Sequence, residues 1–249
     1  MGQDVRKLLE PFVRQLSRHS HLRPGDSESL LSLSGRSETV SVHRDADHLG
    51  EALQSVSLVA EGFLGKFHQT RSGGRQITTL YVPGDIANLQ SLLFCDAGAG
   101  VVALSPARIV RLPKEELATL AAVSAPISRA LWRECAAEAS RSSRWLLNLG
   151  RHPVRTAMAH LYCEVASRIS GAVPAQDRFY AFPVVQSHLA DMLGSSLVHV
   201  NRTLQTLRSE RLIEVRPQGF RILDWDGLAY AAEFDPEHLC LDTTLRSAA

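Results

Sequence analysis

The stretch LADMLGSSLVHVNRTLQTLRSERLIEV, residues 189–215, restricts what this 249-residue chain can fold into more than any other segment. Leu189 and Leu193 give a first short helix its inward face. Ala190 is small where a second helix would cross closest, and Gly194 suits a turn that needs left-handed backbone. Ser196 is a good N-cap for that second helix, whose Val200, Leu204 and Leu207 recur at i, i+4 and i+7 toward a core. Leu197, Val198, His199, Asn201, Arg202 and Gln205 then fall on or near its outer side, the side that would enter a major groove. Directly after it, RLIEVRPQGFRIL holds two short β-runs, 212–216 and 219–223, around Pro217-Gln218-Gly219. A hairpin in that place makes a winged helix-turn-helix.

The charge pattern agrees with the geometry. Between Ser196 and Arg221 five arginines (Arg202, Arg208, Arg211, Arg216, Arg221) face only Glu210 and Glu214, so this end is locally cationic, as phosphate contact requires. The whole chain has a formal net charge of only +1, so no global field announces a polyanionic partner. Wing contacts to phosphate are expected from Arg216 and Arg221.

Upstream, the text has two other characters. From about Pro24 to Pro113, short alternating runs such as SETVSVH, RQITTLYV and GVVALSPARIVRL are punctuated by Gly and Pro, which predicts small antiparallel strands in a sandwich or roll. Gly73-Gly74 and Pro83-Gly84 fall where hairpin turns need them. After Pro113, Leu117, Leu120, Ile127, Leu131, Trp145, Leu146 and Leu149 recur at helical spacing. They predict a short helix and then a long one, roughly 125–149, closed by Gly150. Its small residues (Ala130, Ala136, Ala137, Ala139, Ser140) permit close approach of a second helix, so a dimer seam through Ile127, Leu131 and Trp145 is expected, the alternative being a helix packed only within its own chain. A further helix starts at HPVRTAMAHLYCEVASRIS, with Pro153 in its first turn and Gly171 after its end. GAVPAQDRFYAFP then reads as a loop.

Composition excludes several classes. Four widely separated cysteines (Cys95, Cys135, Cys163, Cys240) form no Cys-x-x-Cys pair, which argues against a disulfide framework or a thiolate metal cage and for a reducing compartment. The amphipathic N-terminus lacks a secretory h-region, and no run approaches the ~20 apolar residues of a membrane span, so a cytoplasmic protein without membrane association is expected. No Ser/His/Asp, HExxH, P-loop or paired-acid constellation points to an enzyme; Glu115-Glu116 reads as the solvated first turn of a helix.

These residues, in this order, resemble the Crp/Fnr superfamily of bacterial transcription regulators, over nearly the whole chain. GGRQITTLYVPGDIANLQSLLF looks like the family's sensor roll, the long helix like its dimerisation helix, and LADMLGSSLVHVNRTLQTLRSERLIEV like its DNA-binding motif. HVNRTLQ, LLNLG and the DWDGLA to FDPEHL segment resemble an alphaproteobacterial subgroup. The resemblance implies an α+β fold: a cyclic-nucleotide-binding-like β-roll with flanking helices over 1–123, a dimerisation helix over 124–150, and a winged helix-turn-helix with C-terminal tail over 151–249.

Where well-studied members place an Arg and a Glu that read bases, followed one turn later by a second Arg, this chain has Leu197, Val198 and Arg202. Only Arg202 keeps a planar fork able to take the O6 and N7 of a guanine. Leu197 and Val198 offer apolar contact, for example to thymine methyls. Asn201 can read adenine, Ser196 matches a Ser at the helix start, and His199 and Gln186 match phosphate-contacting positions. In the roll, the ribose-binding Glu and the Arg-Ser pair for the cyclic phosphate correspond to Leu89, Ala99 and Gly100, a degenerate pocket unsuited to cyclic AMP; Arg108 is the nearest cation that could substitute. The N-terminal cysteines of iron-sulfur members are absent.

The expectation is therefore a homodimeric, sequence-specific regulator that inserts helix 196–207 into a palindromic double-stranded operator, with RNA polymerase as a candidate partner and neither cofactor nor metal. The competing reading is a protein-docking or small-ligand module with decayed DNA binding. Haem is its candidate ligand, through His19, His21, His43, His48 or His68.

Overall fold

The computed structural model describes residues 2–48, 54–93, 99–172 and 174–239. They form two compact units. One comprises the described residues up to His68 together with Thr79–Ala139, and the other Gln69–Thr78 and the described residues from Ser140 onward.

The first unit opens with α1 (Gly2–His19) and α2 (Pro24–Leu31). Strands β1 (Arg36–Val40), β2 (Asp45–Asp47), β3 (Ser55–Glu61), β4 (Leu64–Gln69), β5 (Arg75–Tyr81), β6 (Ile86–Ala87), β7 (Gly100–Ala103) and β8 (Ala107–Pro113) follow, with a 3-10 turn at Leu89–Leu92 after β6. They build two four-stranded sheets, ordered β1-β8-β3-β6 and β2-β7-β4-β5. β8 pairs antiparallel with both β1 and β3, and β7 with both β2 and β4. This is the roll that the period-two text predicts. Val59, Leu64, Tyr81, Val101, Ala103 and Ile109, from both sheets, share one apolar cluster. A second cluster joins Leu9, Phe12 and Leu16 of α1 to Val56, Leu58, Val110 and Leu112, so the N-terminal helix buries its apolar stripe on a sheet.

The helical text resolves into α3 (Lys114–Val123) and α4 (Ala125–Arg151), the latter running one residue past Gly150. The expected seam through Ile127, Leu131 and Trp145 needs correction. Ile127 (1% exposed) and Leu131 (6%) belong to the roll's own core, and Trp145 (7%) is turned into the second unit, where its indole Nε1 donates to Glu164 Oε2 at 2.7 Å. The apolar side chains that α4 leaves exposed are Trp132, Leu146, Leu147 and Leu149. Helical spacing alone identified α4 as apolar, but a helix apolar on more than one side does not announce which stripe its own chain takes.

The second unit continues through α5 (Val154–Ser170), β9 (Phe179–Ala181), α6 (Gln186–Leu193), α7 (Leu197–Ser209), β10 (Ile213–Arg216), β11 (Gly219–Ile222) and α8 (Trp225–Ala232), with a 3-10 turn at Pro236–Leu239. α5 is the core: every residue from Thr156 to Arg168 is buried, and Gly171 caps it in the left-handed region. Tyr162 meets the Phe220 ring edge-on at 4.7 Å, and Tyr180 stacks on the same ring at 5.4 Å. The segment read as a loop contains β9, which pairs with β11 and makes the wing three-stranded, β10-β11-β9. Gly219 permits this approach, because a Cβ there would lie 2.0 Å from the Tyr180 carbonyl oxygen. Asp224 caps α8 by accepting from Gly227 N–H at 3.0 Å.

Candidate nucleic-acid interface

α6 and α7 form the two-helix corner that the residue sizes demand. Leu189 and Leu193 of α6 and Val200, Leu204 and Leu207 of α7 are buried, and Gly194 turns the chain at φ 55°. A side chain at Gly194 would also press on Gln76 Oε1 at 3.2 Å and Leu149 Cδ2 at 3.3 Å. Ser196 caps α7, its Oγ accepting from His199 N–H at 3.3 Å.

The opposite face of α7 is open. Leu197 is 50% and Val198 72% exposed, and His199, Asn201, Arg202 and Gln205 are exposed beside them. Ser196 and Gln186, at the starts of the two helices, are exposed as well. All eight residues that the sequence singled out for DNA contact are thus exposed. The Arg202 guanidinium meets no partner among the described residues, whereas Arg208 donates toward Gln205 Oε1 at 3.5 Å and Arg155 to Glu210 at 3.2 Å.

The wing arginines are less free. Glu214 on β10 takes Arg216 at 2.8 Å and stands 3.9 Å from Arg221, and the hydrogen bond from Arg216 holds its carboxyl below the usual range. A phosphate would have to compete with Glu214 for either guanidinium. On the other side, Arg75 in the β4–β5 hairpin tip pairs with Asp191 of α6 at 2.7 Å, and Gln76 Nε2 donates to the Met192 carbonyl at 3.1 Å. These contacts to α6 were not legible in the sequence, because the partners lie 116 residues apart.

Residues 140–231 match the Crp-like helix-turn-helix domain family, and residues 47–124 match the cyclic nucleotide-binding domain family. The chain belongs to the Crp/Fnr regulators. It is 21% identical to the anaerobic regulatory protein of Haemophilus influenzae over 72% of this chain and 69% of that protein. To the nitrogen fixation regulation protein FixK of Azorhizobium caulinodans it is 25% identical, over 70% and 68%. The solved structure of FixK2 from Bradyrhizobium japonicum superposes with a TM-score of 0.70 at 20% identity, covering 80% of this chain and 98% of that one. The Crp/Fnr assignment makes it a DNA-binding transcription regulator.

In the roll of this Crp/Fnr chain, Leu89 is buried among Leu58 and Ile86, and Ala99 is buried as well. The Phe67 ring lies against Gly100, where a Cβ would meet it at 2.6 Å. Arg108 and Arg111 are both engaged by acids. Arg108 pairs with Asp4 of α1, and Arg111 with Asp47 and Glu38. Asp47, almost fully buried, also accepts from Asn88 Nδ2 at 2.8 Å and Ser57 Oγ at 3.2 Å. Cys95 and the loop around it lie outside the described residues, as does Cys240. Burial raises the thiol of Cys163, and raises that of Cys135 to about 11, which keeps both protonated and unreactive. Of the histidines considered for haem, His21, His43, His48 and His68 are exposed, while the side chain of His19 is outside the described set. Among the described residues no helix is long and apolar enough to cross a membrane.

Proposed function

We propose that this Crp/Fnr protein acts as a homodimer whose two α7 helices enter successive major grooves of a palindromic operator, with RNA polymerase as a candidate partner. The observation that carries the proposal is the exposed outer face of α7 around an Arg202 whose guanidinium has no partner among the described residues. Arg202 and Asn201 supply hydrogen-bonded readout, Leu197 and Val198 contact thymine methyls, His199, Gln186 and Ser196 position the backbone, and Gln205 flanks the base edges. The exposed Trp132, Leu146, Leu147 and Leu149 of α4 are the apolar residues a second copy would cover. A twofold axis then sets half-sites one helical turn apart.

The roll works without cyclic AMP in this proposal. Leu89 and Gly100 provide neither a ribose acceptor nor a phosphate donor, and Arg108 and Arg111 are held by carboxylates. A buried phosphate lacking its arginine loses about 2–5 kcal/mol of binding. Calorimetry with cyclic AMP should therefore give no heat of binding, and a Kd in the micromolar range would overturn this part.

Selection of randomised duplexes, followed by sedimentation of the complex, tests the whole. The expected result is a palindromic consensus bound by two chains. Binding without sequence preference, with the salt dependence of nonspecific association, refutes it. The exposed Leu197-Val198 pair also suits a docking surface for a partner protein, which predicts no consensus and a regulatory function indifferent to Arg202.

A further inference from the structure

We propose that His160 and Glu164 of α5, together with His238 of the 3-10 turn Pro236–Leu239, form a binding site for one divalent first-row metal ion, zinc or a similar borderline cation, in the DNA-binding unit. One ligand atom from each of the three residues lies within 4.8 Å of the other two. His160 is 1% exposed, and both its ring nitrogens are buried without a hydrogen-bond partner among the described residues. A buried imidazole left so costs free energy unless something meets its lone pair, and a metal ion does.

The surroundings supply the outer contacts a metal site needs. Glu164 is held on both oxygens from behind, by Trp145 Nε1 at 2.7 Å and Arg168 Nη1 at 3.2 Å, which orients the carboxylate and leaves each oxygen a further lone pair. His238 donates its Nδ1–H to the Asp235 carbonyl, which fixes the tautomer with the lone pair on Nε2. The His160 and His238 rings stand 5.0 Å apart, with Phe234 packed edge-on against both. Burial lowers His160 to about 4 and also lowers His238, so both imidazoles are neutral near pH 7, the form that ligates.

A tetrahedral ion with bonds of about 2.0–2.1 Å sets its ligand atoms roughly 3.4 Å apart, so occupancy would draw the three together by at most about 1.4 Å. Arg168 and Arg144 add positive potential, which works against a bound cation. Two imidazoles and one carboxylate favour zinc, cobalt or nickel over magnesium or calcium. Bound metal would pin the chain after α8 onto α5. No local spacing announces the site, because His238 lies 78 residues beyond His160 and only the i, i+4 pair on α5 is local.

The test uses the full chain, stripped with chelator and dialysed against zinc chloride, then measured for bound metal by mass spectrometry. One zinc per chain is expected, with a raised melting temperature. His238→Ala and His160→Gln should each lose the zinc and the thermal gain, while His48→Ala keeps both. Substoichiometric zinc in the wild type, or retention by His238→Ala and His160→Gln, overturns the site. Should the variants misfold, cobalt substitution of the wild type decides: intense four-coordinate visible bands support it, and only the weak spectrum of hydrated cobalt refutes it.

Discussion

Arg202→Ala probes the proposed reading helix at its most informative position. The side chain is exposed and its guanidinium touches nothing among the described residues, and the Thr206 hydroxyl bonds only the Arg202 backbone carbonyl at 3.2 Å. Truncation should therefore leave folding within about 0.5 kcal/mol of wild type. On the operator, each half-site loses a bidentate contact to guanine worth about 1–3 kcal/mol. Two subunits double this to about 2–6 kcal/mol, a weakening between roughly 30-fold and 10⁴-fold. The assay is fluorescence anisotropy at one fixed salt concentration, on the selected operator and on a scrambled duplex of equal length. Affinity for the operator should collapse while the scrambled duplex changes little. Arg202→Lys keeps the charge but not the fork and should fall between the two. Operator binding within about twofold of wild type refutes the reasoning. An equal loss on both duplexes reassigns Arg202 to phosphate contact.

Three further substitutions test how the second unit is held. Gly219→Val places a side chain against the Tyr180 carbonyl at a position of φ 155°; it should cost about 2–4 kcal/mol in thermal melts, and a change under about 0.5 kcal/mol would show that β9 yields freely. Ser196→Ala removes the α7 cap and should cost about 1 kcal/mol, with faster hydrogen exchange at the His199 amide, whereas Ser196→Gly should cost only a few tenths. Arg168→Met strips the buried Glu164 carboxylate of its cation and should cost about 3–5 kcal/mol in denaturant unfolding, largely recovered by Glu164→Gln in the same chain. Equal stability of the single and double variants would mean the pair does not act as a pair.

The parts of the fold legible in the sequence are those where one local rule acts alone. Gly194, Ser196 and the Val200, Leu204, Leu207 stripe each answer a requirement within a few residues, and the helix corner follows. The roll is legible for the same reason, through alternation and turn glycines. What stayed hidden depends on distant partners. β9 is three residues long and becomes a strand only because Gly219 lets β11 approach. Ile127 and Leu131 look like an intersubunit seam until α1 and β3 are seen packed in the same cluster. The neutralisation of Arg108 and Arg111 is likewise invisible, since Asp4 and Asp47 precede them by 104 and 64 residues.

α5 makes the same point in a sharper form. A helix buried from Thr156 to Arg168 should be apolar on every side, yet His160, Glu164 and Arg168 recur at intervals of four and so share one face. Arg168 satisfies half of Glu164, Trp145 satisfies the other half, and His160 is left over. An i, i+4, i+8 polar stripe in an otherwise apolar helix is thus a readable sign that something polar must arrive from elsewhere in the chain or from solution. The sequence states the demand, and only the fold brings Trp145 and His238 to meet it. A buried histidine between a carboxylate and a second imidazole is costly as an empty arrangement and stabilising as a filled one, so metal loading and the stability of the DNA-binding unit should rise and fall together.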